Sequence, residues 1–150
     1  MYLYIDRPVA ELSAEGRFLL WSMRAWRLCR ASRCCPPKSL QSAFDTMRAS
    51  EAVMPFHQAM LVLDEIGQLD VADMTERRIT EGEAILLALW QDLFAGDNGR
   101  AGDTLAFFSH DEGRLAAIAF ALAQATSAFQ QAGHHFAPSF TPTAANGGQA

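Results

Sequence analysis

Apolar residues recur at helical spacing through most of the 150-residue chain. At about 100° per residue, Phe18, Trp21, Ala25, Leu28 and Cys29 share one face, which Leu19 and Trp26 broaden. The pattern predicts a central helix from Ser13 to about Arg33, opened by the Ser13 hydroxyl and stopped by Cys35-Pro36-Pro37. Leu40, Ala43, Phe44 and Met47 predict a shorter second helix over 37–48. A third follows Pro55, whose missing N–H costs nothing in a first helical turn. It buries Phe56, Ala59, Met60, Leu63 and Ile66 and ends at Gly67. Thr80-Glu-Gly-Glu83 is a capping box opening a fourth helix through Ile85, Leu86, Leu89, Trp90 and Leu93. Ser109-His-Asp-Glu112 reads as a second capping box, opening a fifth helix to about Gln131 with Gly133 at its end.

Between these helices the period fades. Tyr2, Tyr4 and Ile5 favour an extended arm over 1–12, from which Pro8 excludes an interior ladder position. With no second strand to pair with, the arm is expected to lie across helices. Residues 68–79 read as a polar connector, 97–102 as a loop, and 103–108 as one helical turn at most. Residues 134–150 have turn-forming residues, few charges and no period, and are expected to be a disordered tail. The expectation is an all-α fold: a compact irregular bundle of about five helices, one domain over 1–133, with the tail at 134–150. No heptad persists, which argues against a coiled coil.

The Phe18-Leu19-Leu20-Trp21 block, Trp26 one turn later and Cys35-Pro36 after the helix resemble the opening of a group of uncharacterised small bacterial helical proteins. Those proteins also carry a capped, leucine-rich helix similar to Thr80 through Leu89, so the likeness spans about half of the chain. It implies a small helical fold and no particular activity.

Composition narrows the class without naming a chemistry. Half the residues are hydrophobic and 19% are charged, an ordinary globular mixture. The longest apolar stretches, Ala84–Trp90 and Leu115–Leu122, fall far short of the roughly 20 residues a membrane span needs. Met1-Tyr-Leu-Tyr-Ile-Asp6 has no basic start or cleavage site, so a cytoplasmic protein is expected. Cys29, Cys34 and Cys35 form a poor disulfide framework, and adjacent Cys34 and Cys35 would strain the peptide between them. Reduced thiols are expected.

The net charge of −5 conceals a split: residues 1–50 carry +4 and residues 51–150 carry −9. The basic half can meet the acidic half within the fold, or it can face an acidic partner. Arg17, Arg24 and Arg27 form a stripe on the first helix, near Trp21 and Trp26, and are the candidate anion-binding residues. Exposed and contiguous, such a stripe would suit a nucleic-acid-binding regulator. Against that, the tryptophans lie on the apolar arc, and an acidic chain repels phosphate at long range.

Candidate chemistry is sparse. Cys29, Cys34 and Cys35, with His57 as a fourth ligand, lack the spacing of a zinc knuckle, so no metal is expected. His110-Asp111-Glu112 is better explained by helix capping than by acid–base catalysis, and His57 as a structural or surface histidine. His134-His135 falls in the presumed tail, where no rigid shell would orient it. No nucleotide, metalloprotease or nucleophile-elbow motif occurs, so no catalytic or cofactor-binding residue is assigned. The expected function is that of a small accessory or regulatory protein acting through protein–protein interaction, self-association included. A nucleic-acid-binding regulator and an enzyme without recognisable motif are the alternatives. Trp90, Phe94, Phe107 and Phe108 flank the glycine-rich 97–102 segment and either close the bottom of the bundle or form the candidate interaction surface.

Overall fold

The computed structural model describes residues 3–67 and 70–136. Among these residues the fold is all-α, with helices α1 (Ala14–Ala31), α2 (Pro36–Thr46), α3 (Val53–Glu65), α4 (Glu81–Phe94), α5 (Asn98–Ala106) and α6 (Glu112–Gln131). Two short 3₁₀ turns, Val9–Glu11 and Ser50–Ala52, precede α1 and α3. Among the described residues, no helix is long and apolar enough to cross a membrane.

Side-chain caps mark the starts of α1, α4, α5 and α6. Ser13 accepts from the Gly16 N–H at 3.1 Å and opens α1. Thr80 and Glu83 form the expected capping box of α4, with bonds of 3.3 and 3.0 Å. The start of α6 differs from expectation. Asp111, not Ser109, is its N-cap and accepts from Gly113 and Arg114, while the Ser109 hydroxyl accepts from the Asp111 N–H. Aspartate completes its own cap two residues later in the chain, so the serine serves the turn before the helix.

A larger departure is α5. Residues 97–102, expected to be a loop, form its N-cap and first turns: Asp97 accepts from the Arg100 N–H at 3.0 Å. Ala101 and Leu105, four apart on one face, are buried. Packing of that face against α4 and α6 outweighs the weak helix propensity of Gly99 and Gly102.

The core lies where α3 packs along α6, with α1, α2 and α4 closing around them. Phe44, Phe56, Trp90 and Phe129 meet ring to ring at 5.5–6.4 Å between centroids. The buried face of α1 is rotated from the expected one. Leu19, Leu20, Met23, Arg24, Trp26 and Cys29 are buried, while Trp21 and Leu28 are exposed.

The N-terminal arm does find a partner. Asp6 donates to the Ile79 carbonyl at 3.0 Å, Ile79 to Arg7 at 2.9 Å, and Val9 to Arg77 at 2.8 Å. The segment read as a polar connector thus supplies the pairing edge that the arm needs, with Pro8 opposite Arg78 in an isolated antiparallel bridge. The arm is not extended throughout, because Asp6 has a φ of 59° and Val9–Glu11 turns into 3₁₀ geometry. At the other end, His134 and Phe136 belong to the fold rather than to a tail. His134 Nε2 lies 2.6 Å from the Met47 carbonyl. Phe136 is 4% exposed and stacks on Tyr4 at 6.2 Å. The domain therefore extends past residue 133 at least to 136, and the expected disorder of 137–150 lies outside the described residues.

Candidate functional site

The four aromatic residues expected to cluster are divided by the fold. Trp90 is fully buried against Phe56 and Phe129. Phe94 is half-buried and packs on Phe129 and Phe136. Phe107 and Phe108, just beyond the end of α5, line a groove of about 560 Å³ between α4 and α5. Phe107 is 87% exposed, the most exposed large apolar side chain among the described residues.

Each wall of the groove has a local cause. Ile85, Ala88, Gln91 and Asp92 come from α4 at i, i+3, i+6 and i+7, and so share one helical face. Arg100, Asp103 and Thr104 come from the facing side of α5, where the Thr104 hydroxyl donates to its own helix at the Arg100 carbonyl. Leu3 of the N-terminal arm also lines the groove. Its position follows from Tyr4, whose buried hydroxyl donates to Gln91 Oε1 at 2.6 Å and ties the arm onto α4. Burial first, and then the neighbouring Asp92 carboxylate, push the Tyr4 phenol up to about 12, so it remains a neutral donor.

The groove is thus lined mainly by apolar surface, together with two carboxylates and one guanidinium. Its volume lies within the range of pockets that accept a large side chain or a small ligand. Sequence reading missed Leu3, Gln91, Arg100 and Asp103. A signal for α5 was present in Asp97 three residues before Arg100 and in the Ala101–Leu105 spacing.

The arginine stripe is interrupted. Arg24 is 4% exposed and its guanidinium holds Glu83 of α4 through two bonds, of 2.7 and 2.9 Å. The same guanidinium donates to the carbonyls of Glu76 at 2.6 Å and Arg78 at 3.1 Å. Arg17 and Arg27 remain at the surface, with Arg17 reaching the Ala10 carbonyl at 3.4 Å. An uninterrupted cationic surface through these three residues does not form.

The remaining polar candidates are dispersed. His57 on α3 accepts a 2.9 Å bond at Nδ1 from the Trp26 indole. Burial, and then the Arg30 guanidinium, hold its pKa below the ordinary histidine value. His110, Asp111 and Glu112 are exposed at the start of α6. The three cysteines are free thiols, Cys29 buried and Cys34 and Cys35 exposed. Among the described residues, no group of three His, Cys, Asp or Glu side chains is arranged to hold a metal ion. Comparison with protein-family models, with curated proteins and with solved structures returns no match.

Proposed function

We propose that this protein is a small accessory or regulatory module that acts by binding another protein through the α4–α5 groove. The observation that carries this reading is Phe107, 87% exposed in a groove lined mainly by apolar surface. Exposing a phenylalanine to water forfeits about 1.5–3 kcal/mol of burial, and a surface that docks on a partner recovers it. The occupant that fits is a protein segment with an apolar anchor side chain flanked by a cation. The anchor meets Ile85, Ala88 and Phe108, and the cation meets Asp92 and Asp103, which outnumber Arg100.

The nucleic-acid reading loses its support with the burial of Arg24, which removes the middle of the stripe it requires. The test compares the protein with its Phe107→Asp variant in the native host. The partner should be recovered at least about tenfold less with the variant, as expected for loss of an anchor worth about 2 kcal/mol, while both proteins melt at the same temperature. Equal recovery contradicts the reading.

A further inference from the structure

The C-terminus of α1 brings two cysteines together by a backbone rule. In a Schellman motif the N–H two residues past the C-cap bonds to the carbonyl five positions back, which draws the side chains of those two residues towards one another. Here Arg33 adopts the left-handed conformation with φ 58°. Its N–H donates to the Arg30 carbonyl at 3.2 Å, and the Cys34 N–H donates to the Cys29 carbonyl at 2.9 Å. The two side chains drawn together are therefore those of Cys34 and Cys29. The end of α6 shows the same rule with other residues: His134 N–H bonds to the Phe129 carbonyl at 3.0 Å and their rings meet at 6.4 Å.

We propose that Cys29 and Cys34 form a redox-active dithiol that closes to an intramolecular disulfide on reaction with a small-molecule disulfide. The Cys34 thiol donates to the Ser32 carbonyl at 3.9 Å, and the Cys29 thiol donates to Ser39 Oγ at 3.4 Å. Their exposures divide the work. Exposed Cys34 meets the oxidant, and buried Cys29 is shielded from it. The neighbouring Cys29 sulfur raises the pKa of the Cys34 thiol, so the thiolate that makes the first attack forms only in more alkaline solution.

In the first step Cys34 loses its proton to solvent, and its thiolate attacks one sulfur of the small-molecule disulfide. That S–S bond breaks, one thiolate leaves and takes up a proton, and a mixed disulfide stands on Cys34. Cys29 then loses its proton, attacks the Cys34 sulfur and expels the second thiolate. Two protein thiols are oxidised to one disulfide and the small disulfide is reduced to two thiols. Cys35 cannot substitute for Cys29, because a disulfide between adjacent residues strains the peptide joining them. The pair shares no residue with the α4–α5 groove, so its test is independent of the proposed partner binding.

The experiment incubates the reduced full-length protein with oxidised glutathione and counts free thiols and mass without reduction. The Cys29–Cys34 pair should lose two hydrogens and both free thiols without binding glutathione, any adduct being confined to exposed Cys35. Trypsin cleavage after Arg27, Arg30, Arg33 and Lys38 places Cys29 and Cys34 in separate peptides, which should emerge joined. Cys35→Ser should reach zero free thiols as a monomer, and Cys34→Ser should keep Cys29 free while Cys35 carries glutathione. A stable glutathione adduct on Cys34 of Cys35→Ser with Cys29 still free overturns the proposal. So does linkage through Cys35 or between chains in the unmodified protein.

Discussion

Arg24 and Glu83, 59 residues apart, meet through two hydrogen bonds of 2.7 and 2.9 Å with both side chains withdrawn from solvent. The pair is the junction of the fold. The Arg24 guanidinium also holds the carbonyls of Glu76 and Arg78, while Glu83 accepts from the backbone of Thr80 and Ala72. Through them α1, α4 and the 70–79 segment are fastened together, and that segment in turn pairs with the N-terminal arm that places Leu3 at the groove.

Breaking one side of this junction leaves the other charge buried without a counterion. Glu83→Gln should therefore lower unfolding stability by about 3–5 kcal/mol, read as a fall in the denaturant midpoint. Burial pushes the Glu83 carboxyl up, but bonds from Arg24, Thr80 and Ala72 outweigh it and hold its pKa below the ordinary value. Its contribution is then complete above the unfolded carboxylate pKa near 4.3 and is lost as pH falls through the lower folded value. Acid unfolding should steepen below about pH 4. An acid limb unchanged by Glu83→Gln contradicts the assignment.

Helix α6 separates two candidate caps. Asp111→Ala should cost about 1 kcal/mol and Ser109→Ala distinctly less, because Asp111 alone accepts from the first-turn amides. Paired urea titrations read the difference.

Phe136 depends on a glycine. A Cβ placed on Gly16 would lie 2.9 Å from Phe136 Cε2, so the ring docks only where α1 lacks a side chain. Phe136→Ala should cost about 3 kcal/mol, or a melting-temperature fall of roughly 6–12 °C. Gly16→Ala should destabilise the parent but stabilise Phe136→Ala, where its helix propensity acts without the clash. Two losses of the same sign would show that the ring sits elsewhere.

His57 accepts from the Trp26 indole only while Nδ1 is unprotonated. Its folded pKa is lowered by burial and by Arg30, which itself lies 5.6 Å from the Trp26 ring and 3.8 Å from Asp64. The stability it confers is present above the unfolded value near 6.5 and declines as pH falls through the lower folded value. Between pH 7.5 and 5 the denaturant midpoint should fall, and His57→Asn should flatten that decline. Tryptophan fluorescence follows both.

What was legible in the sequence was local. Thr80 and Glu83 sit three apart, and the capping box they form needs nothing beyond its own turn. Gly67 and Gly133 end their helices with φ of 72° and 89°, as their lack of a Cβ allows. Pairings between distant residues were not legible. Periodicity set Arg24 apart from the apolar arc because nothing nearby reveals that Glu83 will neutralise it. Turn-forming residues concealed α5, whose stability comes from packing, and the groove follows from that helix. Phe107 could be singled out as a large aromatic in a polar neighbourhood, whereas Trp90 and Phe94 fill core positions that only the helix packing assigns.

The groove is tested most directly by placing a photo-crosslinking amino acid at position 107 and, as a control, at 120. Phe120 is also exposed, but it lies on α6 and does not line the groove. The expected result is a protein adduct formed from position 107 in the native host, absent from position 120 and suppressed when Ala88→Phe fills the groove. Equal adducts from both positions, or an adduct at 107 that persists with the groove filled, would contradict partner binding at this site.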